Sequence, residues 1–331
     1  SNVSGFNGDF ITNNAGTVNI IDSNINATVT NDSNLNVQAS TGEAITIGNI
    51  TGEGSMTIGK QNANGTVNLN TTQQADLTIT SGTVNVNASK LKVQNGVENN
   101  AQLNLTDTGA LASNIRGNGN TAITDNISSE KTVTQNSLTI ANNKTFTTSG
   151  NVTVNEITNN GTIDNSAIFN ISSASENAGT ITGNDGTLKL DANFTNKGTI
   201  TQGTILNSET LNNEQNKEIT VETTLTNSGE IANNGIFTLK GTNNTGTFTG
   251  TGHLKTSGVI TNNADITQGN LSVLTGSLQS NAAKLNISNG IDNSAKLILT
   301  GGNLTSNIQG TGTTELSADT VINSTIADNT L

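Results

Sequence analysis

The chain has 331 residues, 31% of them hydrophobic, with seven Phe, one Met, one His and no Trp, Tyr, Pro or Cys. Without Cys there is neither a disulfide staple nor a thiolate metal site. A net charge of −12 with a single Arg, Arg116, argues against nucleic acid as a partner.

Low hydrophobicity with only 11% charged residues and no Pro is not the signature of a disordered chain. The bulk is Asn, Thr, Ser and Gly, interrupted by Ile, Leu and Val, which are turn formers and strand formers in alternation. At the start, residues 1–10 show neither the basic segment nor the apolar block of a signal peptide. Phe6 and Phe10 are expected to cover a first coil or to pack across a joint with another copy.

Apolar doublets with one polar residue between follow in order: Val18 and Ile20, Leu35 and Val37, Ile45 and Ile47, Met56 and Ile58, Val67 and Leu69, Leu77 and Ile79, Val84 and Val86, Leu91 and Val93, Leu103 and Leu105. Period-two alternation puts both apolar side chains on one face. No segment carries a helical stripe, so α-helix is expected to be essentially absent. Strands of three to five residues at this spacing suit coils of roughly 17 to 22 residues, stacked in parallel at ~4.8 Å. About 17 such rungs would reach roughly 80 Å. The interior is expected to be a narrow stack of aliphatic side chains.

Between the strands a turn recurs: NNAGTVNI (13–20), NANGTVNL (62–69), TNNGTI (158–163), ENAGTI (176–181), NDGTLKL (184–190), TNKGTI (195–200) and TNSGEI (226–231). Its glycines, Gly16, Gly65, Gly161, Gly179, Gly186, Gly198 and Gly229, are the expected structural corner residues. Gly takes positive φ freely and Asn tolerates it next best. Asn side chains stacked one rung apart can also hydrogen-bond along the ladder.

A longer repeat contains these units. Residues 76–117 return as 270–310, with Leu91, Val93, Val97, Leu103 and Leu105 matched by Leu285, Ile287, Ile291, Leu297 and Leu299. One residue is lost after Thr300, and Ser113, Asn114 and Ile115 then realign with Ser306, Asn307 and Ile308. TVTQNS at 132–137 finds a shortened echo in TVINS at 320–324, and the second copy stops short. Fixed periods point to one continuous solenoid over 1–331, from a longer protein or one abutting another copy.

The N-N-x-G-T-I/V-x-I units, with Asn, Thr and Gly richness and no Cys, resemble the passenger regions of large bacterial surface adhesins of the autotransporter and filamentous-haemagglutinin-like kind. That resemblance implies a right-handed parallel β-helix, exposed at the cell surface or secreted. It covers nearly the whole chain, identifies no binding residue, and lacks a translocator barrel and an N-terminal secretion domain.

Chemistry is sparse. Polysaccharide cleavage needs paired carboxylates, whereas Asp22, Asp76, Asp107, Asp164 and Asp265 are scattered singly, with no Tyr or Trp to stack on sugars. His253, the only histidine, is expected at a surface or turn, and Asp185 and Asp292 are expected to cap their own turns. The N-x-S/T triplets, at Asn26, Asn31, Asn87 and elsewhere, are frequent by composition alone. No enzyme activity, cofactor or metal is expected, and no 18-residue apolar run would span a membrane. The expected function is a non-catalytic, extracellular β-helical stalk of a surface adhesin. Its partner would be a host or neighbouring-cell surface, protein or glycan. The alternative is a self-assembling segment of an extracellular filament or sheath, pairing end to end with copies of itself.

Overall fold

The computed structural model describes residues 2–3, 10–60 and 63–328, leaving Phe6, Asn62 and the side chain of Phe10 outside. The expected covering role of Phe6 and Phe10 therefore lies outside the described residues. The chain is an all-β parallel solenoid of about 17 turns, with no helix of seven or more residues among the described residues. It divides into two units, Ser1–Asp164 and Asn165–Leu331.

In the first unit one face stacks Thr17–Ile21, Asn34–Gln38, Ser55–Ile58, Asp76–Ile79 and Val97–Asn99, all parallel and in register. Leu35, Met56, Leu77 and Val97 thus form one buried column. A second face stacks Ala44–Ile47, Thr66–Leu69, Thr83–Asn87, Gln102–Thr106 and Asn120–Ile123, aligning Ile47, Leu69, Val86, Leu105 and Ile123. A third runs through Phe10–Asn13, Thr28–Asn31, Ile50–Thr51, Thr72–Gln74 and Leu91–Val93. Hydrogen bonds one turn apart span 17 residues between the Asn36 and Asn19 side chains and 22 from the Thr46 amide to Asn24 Oδ1. Each fully buried Leu, Ile or Val contributes about 1.5–3 kcal/mol, so a few aliphatics per turn suffice.

The second unit stacks the same way, with Ile181, Ile200, Ile219, Phe237, Leu254 and Leu271 in one column. Several of its strands are longer than the expected three to five residues. Thr180–Leu190 and Asn270–Ser280 each run for 11, His253–Asn262 for 10. The chain stays extended around a corner and absorbs the bend as a register shift, between Gly183 and Thr187 or between Lys240 and Thr242. Phe237 and Phe248 meet edge to face, ring centroids 5.2 Å apart.

The long repeat recurs contact by contact, one copy in each unit. Asn87 and Asn281 each cap a 3₁₀ turn, Ala88–Lys90 and Ala282–Lys284. Ser113 Oγ accepts from the Val93 amide and donates to the Leu91 carbonyl; Ser306 does the same for Ile287 and Leu285. The correspondence then continues in a register that corrects the TVINS echo. Thr132 donates its amide to Asn114 Oδ1, and the matching donor to Asn307 Oδ1 is Thr325, not Thr320. Ile115 pairs with Val133 as Ile308 pairs with Ile326. Thr320–Ile322 instead stacks on Gly302–Leu304, as Ile127–Ser129 stacks on Gly109–Ala110. Loop composition misled the sequence alignment where strand register settles it.

Candidate functional site

The expected aliphatic interior is incomplete: Asn31, Gln74, Asn99, Asn165, Asn177, Asn196, Gln202, Asn213, Asn227, Asn233 and Gln268 are all fully buried. Their local origin is the recurring turn. In four of these turns the Asn two residues before Gly, Asn159, Asn177, Asn196 or Asn227, does not sit at the outer corner but is buried in the core, whereas Asn14 and Asn184 stay exposed. Asn196 Oδ1 accepts from the Gly198 amide at 3.2 Å, and its Nδ2 donates to the Gly198 carbonyl at 3.1 Å. Asn177 with Gly179, and Asn159 with Gly161, make parts of the same turn. Ala replaces Gly after Asn99, Asn165 and Asn262.

This changes the reason for the glycines. Gly16 has the expected positive φ, +81°, while Gly65, Gly161, Gly179, Gly186, Gly198 and Gly229 do not. A Cβ on Gly65, Gly161, Gly186, Gly198 or Gly229 would instead lie closer than 3.0 Å to a backbone carbonyl of an underlying turn. Gly179 supplies that carbonyl beneath Gly198 and accepts the Thr199 amide. Close approach between turns, more than left-handed backbone, selects Gly here.

The buried amides join into ladders. Asn177 donates to Asn196 at 2.9 Å, Asn196 to Asn213 at 2.9 Å and Asn213 to Asn233 at 2.8 Å. A second ladder runs Asn207, Asn227, Asn244, Asn262 and ends on the Ser280 hydroxyl. Every one of these bonds donates toward the C-terminus, and the same Nδ2 groups also reach backbone carbonyls, which fixes their orientation. The outer Asn ladders run the other way: Asn36 donates to Asn19, and Asn155 to Asn136.

Where a ladder meets a turn with only Gly at that position, a Gln bridges the gap. Asn233 reaches Gln268 Oε1 past Gly250, Asn165 reaches Gln202 past Gly183, Asn99 reaches Gln135 past Gly117, and Asn31 reaches Gln74 past Gly52. All four glycines have positive φ, from +112° to +140°. In the second copy of the long repeat Asp328 takes the Gln135 role, accepting from Asn293 at 2.8 Å and from Thr314.

Outside, a polar groove of about 450 Å³ lies on the face of Thr66–Leu69, Thr83–Asn87 and Gln102–Thr106. Its floor is a half-buried ladder in which Asn104 donates to Asn85 and Asn85 to Asn68, each at 2.8 Å. The 3₁₀ turn brings Lys90 to its rim, and Asp107, held in left-handed backbone at φ 59°, accepts from Asn87.

Titratable groups are dispersed; among the described residues no three of His, Cys, Asp and Glu come together. Asp22 accepts from the Ser40 hydroxyl and amide, which hold its carboxyl below the ordinary value. Asp125 is lowered by the Asn126 amide and then by Lys144. Glu176 raises Lys197, paired at 2.7 Å. His253 opens a strand rather than sitting in a turn, half-buried, with Nε2 2.8 Å from Ser272 Oγ. Burial, and next Lys255, lower its pKa, with Asp292 opposing. Asp185 and Asp292 lie within Thr180–Leu190 and Ile291–Asn293 and point to solvent, because both sites continue the strand instead of turning.

Compared with protein-family models, curated proteins and solved structures, the chain matches none of them.

Proposed function

We propose that this chain is a non-catalytic extracellular structural and adhesive protein, a stretch of β-helical stalk from a bacterial surface adhesin that mediates attachment to surfaces or cells. The observation that carries the reading is the stacking itself. Turn after turn repeats one core position with one device, from Asn177 to Gln268 and from Asn207 to Ser280. Such an interior supports length, since each turn contacts chiefly its neighbours and turns can be added without redesigning a core. The outward faces it presents are rich in Asn and Thr. The turn-motif resemblance to adhesin passengers adds the cell surface as location.

Beads coated with the protein test this directly. Attachment to cultured epithelial cells, bacterial cells or glass should exceed that of albumin-coated beads and be competed by the soluble chain. Attachment equal to albumin on all three surfaces would overturn the adhesive reading.

A further inference from the structure

We propose that the polar groove over Asn68, Asn85 and Asn104 is a binding site for a neutral oligosaccharide.

The internal repeat supplies the comparison that singles this groove out. Both copies build the same corner, with Asn87 and Asn281 capping the 3₁₀ turn and Lys90 and Lys284 ending it. The scaffold therefore accounts for everything the copies share, and what differs is the outward surface. In register, Asn68 on the preceding turn and Asn85 and Asn104 of the first copy form one outward row. The same row of the second is Thr261, Gln279 and Ile298. Asp107, at its left-handed position, gives way to Gly301, also left-handed, so the fold asks for the backbone shape and not for the carboxylate. Lys284 faces Asp265 at 3.6 Å, whereas Lys90 is exposed and makes no ion pair among the described residues.

The chemistry of the first-copy row narrows the ligand. Asn85 spends one N–H on Asn68 and one lone pair on Asn104, Asn104 also accepts from Gln102 Nε2 at 2.8 Å, and each carboxamide keeps a further N–H and lone pair for a guest. Groups that donate and accept alternately, at a spacing of ~4.8 Å along the row, are offered to the ligand. Hydroxyls answer both roles. A peptide strand is a poorer match, because the backbone beneath is already committed to parallel pairing on both sides and offers no edge. One ammonium and one carboxylate leave the groove without net charge, which favours a neutral chain. A volume of about 450 Å³ is that of a small-molecule site.

The test is titration of the full chain with maltohexaose, cellohexaose and N-acetylchitohexaose, followed by calorimetry and by the side-chain amide resonances of Asn. At least one should bind. A triple variant carrying the second-copy row, Asn68→Thr, Asn85→Gln and Asn104→Ile, should bind about tenfold more weakly at an unchanged melting temperature, from the loss of two or three hydrogen bonds. Lys90→Ala, at an exposed position, should weaken binding about threefold and serves if the triple variant does not fold. Failure of all three saccharides, or binding undiminished in these variants, would overturn the proposal. It adds a ligand class to the adhesive reading but fails separately from it, because bead attachment is measured without added saccharide.

Discussion

Asn233 Nδ2 donates to Gln268 Oε1 at 2.7 Å across 35 residues, past a turn whose only contribution at that point is Gly250. Gln268 Nε2 meanwhile donates to the Thr249 carbonyl at 2.6 Å and the Thr267 carbonyl at 3.0 Å. One side chain thus satisfies the end of an amide ladder and the backbone of the turn it crosses.

That geometry makes Gly250 intolerant of a side chain. A Cβ there would lie closer than 3.0 Å to the Asn233 carbonyl, at φ +112°. Gly250→Ala should cost about 2 kcal/mol or more. Gly16→Ala, left-handed but with nothing within 4 Å, should cost about 1 kcal/mol. Urea melts of both variants check the difference.

Breaking a ladder in its middle should cost more than breaking a surface pair. Asn213→Leu takes one of its acceptors from Asn196, removes the donor to Asn233 Oδ1 and strips the Lys217 and Ile236 carbonyls of a donor, for about 2–4 kcal/mol. Arg116→Gln, which removes the exposed ion pair with Glu98, should cost less than about 1 kcal/mol. Equal losses in the two melts would deny the ladders their role.

His253 gives stability a mildly acidic limb. Burial and Lys255 lower its folded pKa below the ordinary 6.5. Its contribution is therefore complete above 6.5 and is lost as pH falls through the folded value. The urea midpoint should decline as pH falls below 6.5, and His253→Gln should flatten that decline.

Asp22 and Asp125 act at lower pH. Their folded pKa values lie below the ordinary carboxylate value, so what they contribute is present above it and disappears as pH falls through the folded values. Asp125→Asn should lower the melting temperature slightly at pH 7 and make it less sensitive to pH below about 4.

Much of the fold was legible in the sequence, and the reasons are physical. Doublets such as Leu77 and Ile79 declare strands because period two is all a short strand needs, and the pairing Leu77 to Val97 confirms it. The buried amides were not legible as such. Asn in a turn reads as tolerant of left-handed backbone, and composition gives no sign that Asn196 points inward while Lys197 points out. The signal was positional: Asn stands at the second inward place of its strand, two residues ahead of Gly or Ala at Asn99, Asn165, Asn177, Asn196, Asn227 and Asn233, though not at Asn207 or Asn213. The groove was hidden for a related reason, since Asn68, Asn85 and Asn104 become a row only once register is known. Long strands such as Thr180–Leu190 escaped because Gly183 and Gly186 look like breaks, whereas the chain stays extended through them.

The most direct test is removal of one whole turn, residues 211–230. The deletion puts Ile231 where Leu211 was, sets Asn233 above Asn196 and Asn244 above Asn207, and leaves every column in phase. Circular dichroism should show an unchanged β spectrum and a cooperative melt. Deleting 212–230 instead slips the register by one residue, turns the apolar set outward and should abolish that melt. A 211–230 deletion that is unfolded, or two deletions that melt alike, would contradict a solenoid built from interchangeable, register-locked turns.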